Sequence, residues 1–285
     1  MTTTGYDDLI PLGRALPLRV YLRSLWERRQ FAVSVPLGEL RSQHMNTVLG
    51  NVWYLLNPML QVGVYFLVFG VLLGTNRGIT NFITFLAIGV FSYGYLQRSI
   101  VSCASSIVSN EGLIRSLSFP RAILPIASVV RESIAFSSSV ALMVGLSVLT
   151  GEPLTVEWLS LLLLVPLMAT FALGVGFVLA RLTDRLHDVR NLLPFVFRIA
   201  FYLSGIIYAF DVVLAARGYG HMIELLALNP FFVFATLARH ALMSTYAVDP
   251  RVAPWLWPAA VAYTGVFLIA GFVFFRAAEQ RYGRG

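Results

Sequence analysis

The chain has 285 residues, of which 58% are hydrophobic and only 12% are charged, and its mean hydropathy is +0.75. Soluble domains carry about 25% charged residues, so this composition excludes an ordinary soluble protein and predicts an all-α integral membrane protein. The net charge is +7 and all 21 basic residues are arginines, an excess that in a membrane protein indicates cytoplasmic loops, not nucleic-acid binding. One cysteine, Cys103, and four scattered histidines exclude an internal disulfide and argue against a metal site.

The first segment, residues 1–50, is polar or amphipathic, without a signal peptide, and we expect it to be a cytoplasmic arm. Leu18, Tyr21, Leu22 and Leu25 recur near helical spacing, with arginines on the other side, which predicts a helix lying in the membrane interface. Its guanidinium groups are candidates for binding either a lipid diphosphate or the anionic lipid surface. These candidates are Arg23, Arg28 and Arg29.

Long apolar stretches over residues 51–276 predict six membrane spans, because a bilayer core needs about 20 apolar residues per helix. A further apolar stretch, Leu225 to Leu242, is too short and too broken for a span, and we interpret it as a re-entrant helix pair between spans 5 and 6. Residues 277–285 are a tail. The predicted spans are 53–73, 79–98, 120–149, 158–180, 191–210 and 252–275.

The arginines set the orientation of these spans. Fourteen lie in the arm, in the loops after spans 2 and 4 and in the tail, against four on the opposite side. Cytoplasmic loops carry the excess of positive charge, so both termini are predicted to be cytoplasmic, in a multi-pass bacterial inner-membrane protein. The helix pair between spans 5 and 6 is then extracytoplasmic.

Four charged residues lie within predicted spans. Arg98 is expected to reach the inner interface by snorkelling, without a special role. Arg131 and Glu132 fall near mid-membrane, and since neighbours in sequence do not face each other on a helix, each is expected to need its own structural partner. Arg198 in span 5 is the better candidate for contact with a ligand.

Three stretches together resemble one family. The first is 50–58, followed by Tyr65 and Phe69; the second is 110–115 with 119–125; the third is 188–191 with 201–208 and, later, Asn229-Pro230. In order and spacing they resemble the permease subunit of ABC-2 type polysaccharide exporters. Arg115 stands where members often carry lysine. Gly205 stands where many have proline, which would loosen a kink in span 5.

The resemblance implies a homodimer of six-span subunits that works with two copies of a separate ATPase subunit. The dimer would form a channel for a glycan carried on a polyprenyl-diphosphate lipid. A Walker A loop needs a lysine, and the chain has none, so ATP and Mg²⁺ are expected on the partner and no cofactor is expected here. The all-arginine usage fits a GC-rich genome and suggests a cell-wall galactan as the glycan.

The resemblance also assigns roles to particular residues. The segment 111–118 would be the helix that couples to the ATPase, spans 1 and 5 would line the channel, and the helices around residue 229 would form an extracytoplasmic gate. Aromatic side chains suit a sliding glycan because the C–H face of a sugar is apolar. The coupling residues are Glu111, Gly112, Leu113, Ile114 and Arg115; the channel candidates are Tyr54, Tyr65, Phe69, Tyr93, Tyr95, Arg198, Phe201, Tyr202 and Tyr208; the gate residues are Asn229 and Pro230.

Three other functions compete with this interpretation. A multidrug or lipid efflux permease of the same transporter class would need a wide apolar pocket. A membrane-embedded glycosyl- or acyltransferase would need a carboxylate or histidine constellation, for which only Asp184, His187 and Asp188 in an arginine-rich loop qualify. A secondary transporter would need paired carboxylates in mid-span, where only Glu132 lies.

Overall fold

A computed structural model describes residues 17–30, 32–34, 36, 38, 50–74, 79–117, 119–209, 218, 220–279 and 282. This part of the chain is helical and contains no strand. The α-helices are α1 (Leu18–Glu27), α2 (Trp53–Tyr65), α3 (Phe82–Ser105), α4 (Glu111–Ser116), α5 (Ile123–Leu149), α6 (Leu161–Arg185), α7 (Val189–Leu203), α8 (Pro230–Leu242) and α9 (Ala253–Ala277). A π-helix, Phe66–Leu72, continues α2, and 3₁₀-helices occupy Gly50–Val52, Val108–Asn110, Val156–Ser160 and Gly220–Leu228.

Four segments in the described part are long and apolar enough to cross a membrane. They confirm that the chain is a multi-pass helical membrane protein, but they account for four of the six predicted spans. Helix α3 is also long, with 24 residues or about 36 Å of rise, but its hydroxyl groups and Arg98 make it more polar than these four segments. The four segments are Leu55–Leu72, Ile123–Leu149, Val156–Arg185 and Ala253–Ala277.

The predicted fifth span ends earlier than the sequence indicates. Helix α7 has 15 residues, about 22 Å, which is shorter than a hydrocarbon core of about 30 Å. It ends at Leu203 because the chain turns at Gly205, whose φ of +59° is a left-handed conformation that favours glycine. Gly205, which was expected to loosen a kink in span 5, therefore ends helix α7 at this point.

Helix α6 packs between α3 and α9 and forms the centre of the bundle. It meets α9 at Gly174 and Gly271, where the two backbones touch. Helix α8 packs on α3 and α9. Helix α2 is at the periphery, with only 6% of its most apolar stretch buried, against 44% for α6.

One end of the bundle is closed by an apolar cluster that joins distant parts of the chain. It includes Tyr21 of α1, Ile114 of α4, Ile123 of α5, Phe177 of α6 and Phe275 of α9. The N-terminal helix, the loop between α3 and α5 and the end of α9 therefore lie at the same end. We call this the coupling end.

The opposite end is tied together by a carboxylate, Glu152, which is 4% exposed. Its two oxygens accept hydrogen bonds from the side chains of Asn81, Ser244 and Thr245 and from the Ser244 amide at 2.8 Å. These bonds join the loop after α5 to the start of α3 and to the loop after α8. No pattern in the sequence predicted this role for Glu152.

Replacing Glu152 with glutamine is expected to destabilise the protein by about 1.5–3 kcal/mol, because charged acceptors bind these donors more strongly than a neutral amide. Burial alone would raise the pKa of Glu152, but the hydrogen bonds from Thr245, Asn81 and Ser244 outweigh it and hold the pKa below its ordinary value of 4.5. A lowered folded-state pKa means that the stabilisation is present above pH 4.5 and is lost as the pH falls below it.

Thermal unfolding in detergent between pH 3 and pH 7 checks both points. The matched control is Glu157→Gln, because Glu157 is exposed at the same end of the bundle. An E152Q variant as stable as the E157Q variant at pH 7 would contradict the role assigned to the carboxylate.

Arg131 and Glu132 each have a partner on α3, as the sequence predicted: Arg131 donates to Ser102 at 2.6 Å, and Glu132 contacts Arg98 at 3.8 Å. The sequence did not predict their contact with each other. Arg131 and Glu132 do pair with each other, at 3.2 Å, although they are neighbours in sequence, because the long arginine side chain folds back beside its own helix. Arg98 of α3 reaches the same carboxylate at 3.8 Å, so it is not simply a snorkelling residue. These three side chains bridge α3 and α5.

Candidate functional site

The predicted coupling segment is a short helix at the coupling end. Its apolar side faces the protein, with Ile114 buried and Leu113 partly buried in the coupling-end cluster. The other side is open: Arg115 contacts Glu111 at 3.3 Å on the surface, and a methyl group added at Gly112 would have no neighbour within 4 Å. The helix thus has one face anchored to the bundle and one face available to a partner.

Helix α1 is bound to the end of α9 and the start of α5. The Tyr21 hydroxyl donates to Glu279 Oε1 at 2.8 Å, and the Arg121 amide donates to the same oxygen at 2.7 Å. The Arg121 guanidinium donates to the Glu279 carbonyl oxygen, and the Ala122 amide donates to the Tyr21 hydroxyl. Burial raises the pKa of the Glu279 carboxyl, although the bonds from Tyr21 and Arg121 oppose this rise.

The three arginines proposed for lipid contact are exposed on or just after α1. Arg23 pairs with Glu27 at 3.0 Å. Arg29 donates to the carbonyl oxygen of Trp26 and lies over its indole ring, 5.0 Å from the ring centroid. Arg28 caps the helix. Their outward position leaves them accessible at the coupling end.

Most of the predicted channel aromatics come together as one strip that crosses from α2 to α7. Tyr65 lies 6.2 Å from Phe69 and 5.6 Å from Phe201, measured between ring centroids. Phe201 in turn lies 5.6 Å from Tyr202 and 5.2 Å from Tyr93 of α3. We call Tyr65, Phe69, Phe201 and Tyr202 the aromatic strip. Tyr93 is buried behind the strip, and its hydroxyl donates to the Phe197 carbonyl oxygen.

The remaining channel candidates lie elsewhere. Tyr95 is fully buried, stacks on Phe136 and shares a hydrogen bond of 2.7 Å with Ser133, so in this conformation it is a core residue. Tyr208 donates to the carbonyl oxygen of Tyr202, and Arg198 is exposed on α7. The side chain of Tyr54 lies outside the described residues.

The residues proposed for a gate form the start of α8. Asn229 is its N-cap, accepting from the amides of Phe231 and Phe232, and Pro230 is the first helical residue. The Asn229 amide also donates to the Leu203 carbonyl oxygen and the Ser204 hydroxyl, each at 3.1 Å. The Asn229 side chain therefore caps the start of α8 and is hydrogen-bonded to the end of α7.

Arg239 of α8 lies in the stretch Leu225 to Leu242, which the sequence predicted to be a re-entrant helix pair, and the sequence indicated no role for it. It is 1% exposed, and its guanidinium donates to the carbonyl oxygens of Phe85, Gly205 and Ile206 at 2.9–3.2 Å. The guanidinium also lies 3.4 Å from the centroid of the Phe85 ring. Two of these carbonyls are freed by the turn after α7. An arginine within the otherwise apolar stretch of α8 was the available signal.

No group of three or more potential metal ligands occurs in the described part of the chain. Asp188 and His187, which an enzyme site would need, are exposed at the start of α7. The geometry places anchored helices at one end and an aromatic strip along one side.

Comparison with known proteins agrees with this architecture. No family model matches the chain. It is similar to the O-antigen export system permease protein RfbA of Myxococcus xanthus, with 27% identity over 215 residues, which are 75% of this chain and 81% of that protein. It is also similar to two proteins of the same name from Klebsiella pneumoniae, with 23% and 22% identity over 61% of this chain and 67% of each relative.

These relatives confirm the resemblance to permease subunits of ABC-2 type polysaccharide exporters. Their names describe transport subunits and not enzymes, as the sequence predicted for this chain. The chain is a multi-pass membrane protein similar to polysaccharide-export permeases.

Proposed function

We propose that the chain is the channel-forming permease half of an ATP-driven exporter that moves a polyprenyl-diphosphate-linked polysaccharide from the cytoplasm across the inner membrane. The observation that carries this proposal is the aromatic strip on α2 and α7, two helices whose side chains the bundle leaves largely exposed. Their outward faces are uncovered and mostly apolar, with Arg198 of α7 exposed among the apolar side chains. The exposed side chains include Leu60, Val64 and Leu67 on α2 and its π-helical continuation and Phe195, Ile199 and Tyr202 on α7.

A second copy of the chain would cover these faces and bring two aromatic strips together around a shared channel. Aromatic rings offer weak, repeated contacts to sugar faces, which suits a polymer that must slide. In this arrangement α3 and α7, with the segment that follows α7, complete the six spans, and the Asn229–Pro230 region forms an extracytoplasmic gate. The coupling end with both termini is cytoplasmic, as the arginine distribution predicts.

The glycan is a cell-wall galactan in this proposal. An efflux permease for drugs or lipids of the same transporter class is the second candidate, favoured by the apolar faces of α2 and α7 themselves. Export of labelled glycan and of a lipophilic dye by the same reconstituted protein separates the two.

The partner would be a separate ABC ATPase present in two copies, holding ATP and Mg²⁺ and receiving α4. Reversing one charge on the open face of α4, Arg115→Glu, is expected to lower ATP hydrolysis by the complex at least tenfold, because a mismatched interface charge costs several kcal/mol and each 1.4 kcal/mol is a factor of about ten. The measurement is ATP hydrolysis in lipid discs that contain the chain, the co-expressed ATPase and lipid-linked glycan.

Arg185→Glu is the matched control, because Arg185 is an exposed arginine at the coupling end but outside α4. The double exchange E111R with R115E keeps an intrahelical ion pair and should still lose hydrolysis. A chain that binds no ATPase, or hydrolysis unchanged in both α4 variants, would count against the proposed coupling.

A further inference from the structure

A polar cleft of about 390 Å³ lies between α3 and α5 toward the coupling end. Polar side chains inside a membrane bundle are expensive and commonly mark a functional site. None of the residues that line this cleft belongs to the aromatic strip. The cleft is lined by Gln97, Arg98, Ser102, Ser105, Asn110, Ser128, Arg131 and Glu132, among others.

Charge is distributed unevenly over the cleft. Two guanidinium groups, of Arg98 and Arg131, share one carboxylate, so the charged lining residues sum to one positive charge. The arginine side chains are 49% and 33% exposed, whereas that of Glu132 is 14% exposed. A molecule that approaches the cleft therefore meets guanidinium groups in front and the carboxylate behind them.

The hydroxyl groups of the cleft are mostly committed as donors. Ser105 donates to the Val101 carbonyl oxygen and Ser128 to that of Leu124, each at 3.1 Å. Their oxygens keep lone pairs that accept hydrogen bonds. Ser102 accepts from Arg131 at 2.6 Å and fixes the direction of that guanidinium. The cleft thus combines strong donors for an anion with acceptors for hydroxyl groups.

The depth of the cleft fits a lipid headgroup. Arg131 is eight residues into α5, about 12 Å along an axis of about 40 Å, and a bilayer with its headgroups is about 40–45 Å thick. The arginines are therefore within reach of the boundary between headgroups and hydrocarbon. Asn110, which also lines the cleft, immediately precedes α4.

We propose that this cleft binds the phosphate of a lipid headgroup, with Arg98 and Arg131 donating to the phosphate oxygens and the serines accepting from neighbouring hydroxyls. Guanidinium pairs bidentately with phosphate, which displaces part of its contact with Glu132. The inference rests on the proposed function only in assigning the coupling end to the cytoplasmic leaflet. The phosphate can come from the polyprenyl carrier or from an ordinary anionic phospholipid.

The test is lipid binding to the purified chain in detergent by native mass spectrometry. The probes are a polyprenyl monophosphate, phosphatidylglycerol and phosphate-free diacylglycerol. Arg98→Gln and Arg131→Gln are each expected to weaken binding of a phosphate lipid about tenfold, while Arg185→Gln leaves it unchanged. Glu132→Gln is expected to preserve or tighten binding, since it removes the carboxylate that competes with phosphate; a purely structural carboxylate would give the opposite result.

Equal binding by all four variants, or an equal loss in R185Q, would overturn the proposal. Should R131Q fail to fold, R98Q at the exposed rim still gives the answer. If the arginine substitutions weaken binding of the polyprenyl lipid alone, the carrier is the ligand. If they weaken binding of both phosphate lipids, the cleft is a general lipid site. No ATPase and no glycan enter this assay, so failure of the exporter function leaves its result readable.

Discussion

Replacing Arg239 with methionine is expected to prevent stable folding of the chain in the membrane. Methionine fills part of the volume but leaves the carbonyl oxygens of Gly205 and Ile206 without the donor that binds them, and it removes the second donor to the Phe85 carbonyl oxygen, which lies within α3. Each buried acceptor left unsatisfied costs about 1–3 kcal/mol. Two together cost about 2–6 kcal/mol, a large share of the total stability of a typical protein, about 5–15 kcal/mol. The turn that ends α7 would lose its attachment to α8.

The measurement is the yield of monodisperse protein after detergent extraction, together with its thermal midpoint. Arg239→Lys should recover only part of the stability, because an ammonium group cannot reproduce the planar fork that reaches three separate carbonyls. His240→Gln is the control, since the adjacent His240 is exposed on the same helix. R239M protein with the yield and midpoint of H240Q would show that the buried guanidinium is dispensable.

Substitution of Gly271 by alanine is expected to separate α6 from α9 and destabilise the protein by about 1–3 kcal/mol, the usual cost of overpacking. A Cβ at Gly271 would collide with the Gly174 carbonyl oxygen, and one at Gly174 would meet the backbone of Phe267 and Leu268. Backbone atoms cannot move aside as a flexible side chain can. Small residues at helix crossings permit this close approach in membranes.

Gly265→Ala is the matched control, because Gly265 lies on the same helix and has nothing within 4 Å of the added atom. There alanine is expected to be neutral or to stabilise by up to about 1 kcal/mol through its helix propensity. The half-lives of the two variants in detergent at a fixed temperature give the comparison. A G271A variant as long-lived as G265A would mean that the contact of α6 with α9 is looser than described.

Apolar runs in the sequence predicted the long helices well, because a bilayer demands about 20 apolar residues whatever the tertiary contacts are. Helix α5, from Ile123 to Leu149, falls within the predicted span 120–149. The predicted fifth span, 191–210, was too long, because the turn at Gly205 depends on donors supplied by Asn229 and Arg239, which are distant in sequence.

Pairing of the charges within the predicted spans was the part of the structure that the sequence predicted least well. Helical geometry argued against contact between Arg131 and Glu132, but a long flexible side chain can return to its own helix when Ser102 of α3 fixes its far end. Tyr95 and Tyr93 looked equivalent as channel candidates two residues apart. They face opposite directions in α3, and only packing against Phe136 or Phe201 distinguishes them.

The most direct measurement of the central claim is transport itself. The chain and its co-expressed ATPase are reconstituted in vesicles with a fluorescent lipid-linked polysaccharide on the ATPase side, and appearance of glycan on the other side is followed with ATP or a non-hydrolysable analogue. We predict glycan transfer that requires both chains and ATP hydrolysis and that is lost in Arg115→Glu. Transfer that is equal without ATP, or no transfer by a folded complex that hydrolyses ATP, would contradict the assignment as a polysaccharide-export permease.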